Sequence, residues 1–514
     1  MADNITPFSI SAPGFNGLNL SDSPVDLPAS FALEANNCVI DKSGRVASRK
    51  GWTRASTANT DLSTSNITCI GELIQNDGTA TTLCAGGGFL FKLSGTTLVT
   101  LTYGGSGAAP TINANNWKFC QLNGVAMFWQ RGYDPLIYDP VVSTTTFRRL
   151  NEKAGTAGMV YQCNEAISAY GRVWAADTST DKQTVVFSDL LSPHVWTGGT
   201  SGSLNVGQVW PSGGDEIVAL AAHNNFLFIM GRFQILIYSG AGTPSTMTLQ
   251  DSIVGVGCIA RDSVQNAGED IVFLSDSGVR SLLRTIQEKS APIRKLSQNV
   301  HVDLMSAVDL ENTANIKAVY SAANNFYLLT LPATATTYCF DMRSVLENGA
   351  ARTSMWSLVA KSFYETKDRV LYMGNAGYLG DHTGYYDDAS VYRMSYYTTW
   401  IDFGNPIQTS ILKKVLCTLI GLSNQTVVFK WGYDYNSAQH SQTSILSSLS
   451  SPAEYGTAEY GISEYSGNVS INVMSVQGSS SGRVLQFGLE AQVGGYQIAI
   501  QRIDLFTKDG AYFA

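Results

Sequence analysis

The sequence has few charged residues and lacks the short motifs of several enzyme classes. Only 14% of its 514 residues are Asp, Glu, Lys or Arg, whereas soluble domains average about 25%. It contains no GxxxxGK[ST] phosphate loop, no HExxH pair and no CxxC, and its five histidines are scattered. These absences leave no sequence pattern for a nucleotide-phosphate site or a zinc site. We therefore expect no cofactor and no enzymatic activity.

The chain also lacks a basic character and long apolar runs. Its formal net charge is -8, so it does not have the overall basic charge of a nucleic-acid binder. No apolar run approaches the roughly 20 residues of a membrane span, and the first residues lack the basic and apolar regions of a secretory signal. We expect neither a membrane-spanning segment nor a secretory signal.

The eight cysteines are spread through the chain without metal-ligand spacing. Several lie in apolar, strand-like contexts, such as Thr68-Cys69-Ile70 and Tyr338-Cys339-Phe340. Free thiols buried as small hydrophobic side chains explain this better than disulfides. They fit a protein made in a reducing cytoplasm.

Between residues 66 and 394 the sequence repeats short apolar strands joined by Gly or Asn turns. One example is Asn123-Gly124, a pair that favours the type I′ turn of a tight hairpin. Successive units are about 40 to 50 residues apart, which is typical of the four-stranded blades of a β-propeller. We predict an all-β chain with a six- or seven-bladed propeller. The units open near Ile67, Trp117, Ala166, Ile217, Ala260, Ile316 and Trp356.

The two ends of the chain do not follow this repeat. Residues 1–65 form an arm broken by prolines, in which only Phe31–Val39 could make a helical turn and Gly44 supports a hairpin. Residues 395–514 alternate as in a small β-sandwich, interrupted by a long polar loop at 436–467. We predict that the arm and this C-terminal region together form a β-rich platform.

Three regions resemble the tail nozzle proteins of short-tailed bacteriophages, also called tail tubular protein B or packaged-DNA stabilisation proteins. The arm carries most of the resemblance, and shorter segments in the propeller and the C-terminal region add to it. The segments are Gly17-Leu18-Asn19, Asp22-Ser23-Pro24, Leu27-Pro28, Glu34-Ala35-Asn36-Asn37, Arg49-Lys50-Gly51-Trp52, Gly231-Arg232-Phe233-Gln234, Ile237-Tyr238-Ser239-Gly240, residues 257–264, residues 273–279 and Asp402-Phe403-Gly404-Asn405-Pro406.

The resemblance implies a structural virion protein without catalysis. Such a protein forms a hexameric ring that continues the tail channel, encloses double-stranded DNA without sequence-specific binding, and helps retain and then release the genome. The implied partners are a tail adaptor on the portal side and tail fibre, needle or tip proteins. The implied location is the virion tail, after assembly in the host bacterial cytoplasm.

Within the polar loop, Tyr455, Tyr460 and Tyr465 repeat every five residues. Tyrosine offers a large contact area at little cost in rotamer entropy, so we predict that this series contacts a neighbouring subunit or partner. The alternative function is a carbohydrate-binding or carbohydrate-active propeller, possibly also a phage tail component. The adjacent acidic pairs Glu269-Asp270 and Asp387-Asp388 do not support hydrolysis, because neighbouring strand residues face opposite sides. We interpret them as solvated loop carboxylates.

Overall fold

The computed structural model describes residues 5–113, 115–152, 161–287, 295–404, 408–421, 425–446 and 470–512. Strands make up 51% of the protein and helices 6%, which confirms the all-β prediction. Within the described ranges, no helix is both long enough and apolar enough to cross a membrane.

The first six strands belong to the arm. They are β1 (Ile5–Ser11), β2 (Gly17–Leu18), β3 (Phe31–Asn36), β4 (Cys38–Ile40), β5 (Val46–Ser48) and β6 (Thr53–Arg54). Strands β4 and β5 form the predicted hairpin, and Gly44 in its turn has φ +74°. The prediction of a helical turn at Phe31–Val39 is wrong. This segment contains β3 and the start of β4, and β3 pairs with β30 and β34, two strands that are far away in the sequence.

Residues 67–254 form four blades, each built on four antiparallel strands of which the first is innermost. Tight turns set their registers; at Asn123-Gly124 both residues have positive φ, as a type I′ turn requires. Blade 1 comprises β7 (Ile67–Ile74), β8 (Ala80–Gly86), β9 (Phe89–Ser94) and β10 (Thr97–Thr100). Blade 2 has β11 (Thr102–Tyr103) at its edge, then β12 (Lys118–Leu122), β13 (Val125–Trp129), β14 (Leu136–Tyr138) and β15 (Thr146–Arg149). Blade 3 comprises β16 (Glu165–Ala169), β17 (Arg172–Ala176), β18 (Thr184–Phe187) and β19 (Gly202–Asn205). Blade 4 comprises β20 (Ile217–His223), β21 (Phe226–Gly231), β22 (Gln234–Ser239) and β23 (Thr248–Val254).

Residues 265–381 complete the ring. A three-stranded short sheet contains β24 (Gln265–Asn266), β25 (Ile271–Ser275) and β26 (Gly278–Ser281), and is followed by the helices α1 (Leu282–Gln287) and α2 (His301–Asp309). Blade 5 comprises β27 (Lys317–Ser321), β28 (Phe326–Leu331), β29 (Thr336–Val345) and β30 (Ala351–Trp356). Blade 6 comprises β31 (Ser362–Glu365), β32 (Leu371–Gly374) and β33 (Leu379–Asp381), with β6 of the arm as its fourth strand.

Six blades, of which blade 2 has the additional strand β11, and the short sheet therefore surround one axis. This confirms the prediction of a six- or seven-bladed propeller. The predicted unit openings agree with the innermost strands except at Ala260, which precedes the 3-10 turn Arg261–Ser263, and at Trp356. That residue ends the outermost strand of blade 5, where its indole is buried against Phe326. The next innermost strand begins only at Ser362.

The C-terminal region contributes eight strands to the platform. They are β34 (Tyr392–Thr398), β35 (Gln408–Gly421), β36 (Thr426–Tyr433), β37 (His440–Ile445), β38 (Ser470–Gln477), β39 (Ser481–Gly482), β40 (Leu485–Val493) and β41 (Ala499–Tyr512). Part of the predicted polar loop 436–467 is thus wrong, since β37 pairs with β36. An edge strand needs few apolar side chains, because its backbone bonds to one neighbour and its side chains can face water.

Arm and C-terminal strands build the platform together, as predicted. A seven-stranded sheet runs β38-β35-β41-β5-β4, with β1 paired to β41 and β39 to β35. A second sheet continues from blade 5 through β2, β3, β34, β40, β36 and β37. Val415 on β35, Phe429 on β36 and Leu489 on β40 lie in one buried cluster, so the two sheets pack face to face. Strand pairing crosses both boundaries of the predicted division into 1–65, 66–394 and 395–514. The division into three domains stays a prediction.

Small hydrophobic side chains complete the interior. All eight cysteines are free and buried, as predicted. Burial raises the pKa of each thiol, for example that of Cys69 to about 12, so these thiols are not reactive thiolates at neutral pH.

Candidate functional site

The propeller axis holds a group of charged side chains, which we call the axial cluster. The innermost strands of neighbouring units contact one another, so side chains that point inward from different blades meet there. The cluster comprises Lys118 on β12, Glu165 on β16, Arg261 and Asp262 in a 3-10 turn before β24, and Lys317 on β27. Three cations therefore face two carboxylates at the centre of the ring.

Asp262 lies at the centre of this network. Its carboxylate accepts from Arg261 Nη2 at 2.8 Å and from Lys317 Nζ at 2.5 Å, and it lies 3.6 Å from Lys118 Nζ. Glu165 faces Lys118 Nζ at 3.4 Å and Arg261 Nε at 3.8 Å. Apart from the pair of neighbours Arg261 and Asp262, these ion pairs join residues that are far apart in sequence, and they connect blades 2, 3 and 5 with the short sheet.

Two asparagines complete the hydrogen bonding of the cations. Asn116 Oδ1 accepts from Arg261 Nη2 at 2.9 Å and also from Lys317. Asn164 accepts from Arg261 Nη1 through its backbone oxygen at 2.6 Å and through its side chain at 3.0 Å. Asn116 has φ +51°, a left-handed conformation that asparagine tolerates better than most residues. Buried cations require such partners, because an unpaired charge loses its hydration.

Burial and pairing separate the pKa values of the two carboxylates. Burial raises the pKa of Glu165 to about 7, although Lys118 and Arg261 oppose the shift. Burial also acts against ionisation of Asp262, but Arg261, Lys317 and Lys118 hold its pKa well below the usual value. Asp262 is therefore ionised at neutral pH, whereas Glu165 titrates near neutrality.

We expect Glu165 to give the protein a distinctive pH response. Its pKa in the folded state, about 7, lies above the ordinary glutamate value of 4.5, so its contribution to stability is complete below pH 4.5 and is lost as the pH rises through 7. Glu165→Gln does not titrate. The free energy of unfolding of this variant relative to the natural protein should therefore rise by about 3 kcal/mol between these pH values. Urea unfolding at a series of pH values measures this difference, and a flat difference would contradict the prediction.

A cavity of about 350 Å³ lies beside the axial cluster. Lys118, Asp262 and Lys317 line it, and Tyr320 and Tyr364 contribute aromatic walls. A glycoside hydrolase needs two carboxylates with room for the scissile bond between them. Here one ammonium group, that of Lys118, contacts both Glu165 and Asp262, so the arrangement favours a structural role over acid/base chemistry.

A second candidate surface is the outer face of the seven-stranded sheet, away from the platform core. Ile471 and Val473 on the edge strand β38 are each 62% exposed. They pair in register with Ile420 and Thr418 of β35, which are half-buried on the same face. Three apolar side chains and one threonine that continue across neighbouring strands form a patch typical of protein interfaces. We call these four residues the platform patch.

The sequence predictions for individual residues have mixed outcomes. Tyr455, Tyr460 and Tyr465 lie outside the described residues, so their contact role stays a prediction. The interpretation of Asp387 as a solvated carboxylate is wrong, because it pairs with the fully buried Arg49 at 2.6 Å. Asp388 pairs with the exposed Arg54. Among the described residues, no group of three His, Cys, Asp or Glu side chains could hold a metal ion.

The chain also contains one catalytic-type motif that was not predicted. Residues 478–482, Gly-Ser-Ser-Ser-Gly, match the GxSxG pattern of serine hydrolases, and Ser480 has φ +79°. The functional motif requires a turn from a strand into a helix, whereas this segment connects β38 to β39. No hydrogen bond joins Ser480 to a histidine in the described part of the chain. The match is therefore a short connection between two strands that both pair with β35.

Comparison with known proteins finds similar folds only. No family model matches the sequence, and no curated protein matches it. The WD40 domain of Pan2 from Neurospora crassa is 10% identical, with 65% of this chain and 96% of that chain covered and a TM-score of 0.37. YCF48 from Cyanidioschyzon merolae is 10% identical over 65% and 98% of the two chains, with a TM-score of 0.36. The extracellular domain of a putative one-component system from B. thetaiotaomicron is 11% identical, with coverages of 86% and 62% and a TM-score of 0.40.

Proposed function

We propose that this protein is a structural, non-catalytic component of the tail nozzle of a short-tailed bacteriophage. In this proposal several copies, six by the resemblance to the nozzle group, form a ring in the virion tail after assembly in the host cytoplasm. The ring continues the DNA channel between a tail adaptor and the tail fibre, needle or tip proteins. It helps to retain packaged DNA and to allow its ejection.

The observation that carries this proposal is the platform patch. A monomer that exposes Ile471 and Val473 at 62% each, on the edge strand of a large sheet, has an apolar surface available to another subunit. The low content of charged residues, 14%, supports extensive coverage of the surface by neighbours. The axial cluster supports a scaffolding role, because its carboxylates are bound to the protein's own cations.

The charge of the chain supports enclosure of DNA in preference to tight binding. Each copy carries a formal charge of -8, so a ring of several copies repels phosphate overall. Tight binding would require many Lys or Arg contacts and would weaken steeply with salt. We therefore propose steric retention of double-stranded DNA without sequence-specific contacts.

The test is the assembly state of purified full-length protein, with a matched pair of variants. Val473→Lys places a charge in the platform patch, and Val141→Lys places the same charge on a valine that is 88% exposed in blade 2. We expect mass photometry and negative-stain microscopy to show rings for the natural protein and for Val141→Lys. Val473→Lys should shift the population to monomers, because a buried unpaired lysine disfavours the interface. A natural protein that stays monomeric at high concentration would overturn the proposal.

Carbohydrate binding is a second proposal, supported by the aromatic walls of the axial cavity. Tyr320 and Tyr364 both line it and could stack against a sugar ring. Lys118 Nζ lies 3.4 Å from Glu165 and 3.6 Å from Asp262, so we propose binding without hydrolysis. A glycan array with Tyr364→Ala as the comparison variant tests it: glycan binding that this variant loses would favour it over the nozzle proposal.

A further inference from the structure

A separate cavity of about 310 Å³ lies at the junction of the arm, blades 5 and 6 and the C-terminal region. We call it the junction cavity. Its walls include Lys42 and Lys50 from the arm, Arg343 and Arg352 from blade 5, and His382 directly after β33. It shares no lining residue with the axial cavity, so any ligand would bind independently of the axial cluster.

The junction cavity has more cations than its own carboxylates can neutralise. Asp341 accepts from Arg343 at 2.8 Å. Asp41, the other acidic residue in the wall, accepts from Arg45 at 2.6 Å. After these pairings, Lys42, Lys50 and Arg352 have no ion pair within 4 Å among the described residues. The electrostatic potential of the cavity is therefore positive.

Two buried donors in the same wall have no partner in the described part of the protein. His382 is 6% exposed and stacks on Trp356 at 5.7 Å, and neither ring nitrogen makes a hydrogen bond. The Nε of Arg352 is likewise buried without an acceptor. Buried polar groups are nearly always paired in folded proteins, and each exception needs an explanation.

We propose that the junction cavity binds a small oxyanion, either a phosphate or a carboxylate group. Lys50 and Arg352 would supply positive charge, and Arg352 Nε and one nitrogen of His382 would donate hydrogen bonds. Phosphate and carboxylate oxygens accept from such donors with good geometry. This inference does not depend on the proposed function. It assigns the ligand the role of joining the arm to the propeller, because the cavity is lined by both.

The protonation state of His382 agrees with this assignment. Burial, with smaller contributions from Arg49 and Lys50 in the same direction, lowers the pKa of His382 to about 3. Asp381 is adjacent in the chain, and burial raises its own pKa. The imidazole is therefore neutral at physiological pH and has one N–H to donate. A bound anion would raise the pKa of His382, because it offsets the charges of Arg49 and Lys50.

The experiment uses full-length protein with inorganic phosphate and citrate as probes. Calorimetric titration and thermal unfolding are measured against chloride at equal ionic strength. We expect at least one probe to bind and to raise the melting temperature, and the double variant Lys50→Gln/Arg352→Gln to weaken its binding by about tenfold or more. Binding of phosphate alone or citrate alone identifies which oxyanion the cavity accepts. Lys413→Gln is the matched control, since this exposed lysine lies on β35 and outside the junction cavity.

His382→Phe separates binding from a purely structural role. The phenyl ring keeps the stacking on Trp356 and removes both unpartnered nitrogens. We expect this variant to melt at the same or a higher temperature in chloride, while the response to the probe weakens. Failure of both probes to bind the natural protein would overturn the inference, as would unchanged binding in the Lys50→Gln/Arg352→Gln variant.

Discussion

Replacing Asp262 by asparagine should lower the free energy of unfolding by about 3 to 5 kcal/mol, the range seen when one partner of a buried ion pair is removed. Asp262 contacts Arg261 at 2.8 Å, Lys317 at 2.5 Å and Lys118 at 3.6 Å. Asparagine has nearly the same shape but no charge. The variant would therefore leave three cations facing Glu165 alone. Urea unfolding followed by circular dichroism measures the loss.

Two further variants make this expectation specific to the axial cluster. Asp368→Asn removes the same charge from an exposed loop position, where substitutions usually change stability by less than about 0.5 kcal/mol. Lys317→Met, added to Asp262→Asn, removes one of the cations left unpaired and should recover part of the lost stability. A loss for Asp262→Asn no larger than that for Asp368→Asn would show that the cluster does not stabilise the propeller.

Arg49→Met should weaken the attachment of the arm and lower the free energy of unfolding by about 3 kcal/mol, the lower end of the range for a broken buried ion pair. Arg49 is fully buried. Its guanidinium donates to both carboxylate oxygens of Asp387, at 2.9 and 2.6 Å, and to Asn37 at 2.9 Å, and it lies 4.1 Å from the ring centre of Tyr392. The lower end applies because the side chain of Asp387 is 23% exposed, so water can solvate it in part.

The neighbouring ion pair provides the matched control for Arg49. Arg54, which also lies in the arm, pairs with Asp388, but the two side chains are 52% and 31% exposed. Exposed pairs of this kind add little to stability, so Arg54→Met should leave the unfolding curve unchanged. Limited proteolysis should cleave the arm of Arg49→Met faster than that of Arg54→Met. Equal cleavage rates and equal stability in the two variants would contradict the assigned role of Arg49.

Local features of the sequence predicted most of the fold. Turn residues such as Asn123-Gly124 fix hairpins because the positive φ values are a property of the turn itself. Local sequence allows a helical turn at Phe31–Val39, within which lies the segment Phe31–Asn36. It is a strand because β34 lies beside it in the folded protein, a contact across more than 350 residues that local propensity cannot report.

Only part of the axial cluster could be predicted from the sequence. Lys118 and Lys317 each begin an innermost strand that is otherwise largely apolar, and this shared position was a usable signal of an inward-facing charge. The identity of their partner was not available, because Asp262 meets them only when the ring closes. The same limit applies to Asp387, since nothing near it in the chain indicates that Arg49 lies beside it.

The pairing of β1 with β41 places a condition on how the protein is made. Ile5 is in register with Lys508 and Ser11 with Arg502, so the first strand lacks its partner until the last strand leaves the ribosome. At about 5 to 20 residues per second, this wait lasts roughly half a minute or more. During this time the apolar side chains of the arm and the open edges of the platform strands are exposed to other chains. Slow translation or a high level of expression should therefore favour aggregation of chains whose synthesis is not complete. The platform, not the propeller, should be the last part of the protein to become resistant to protease.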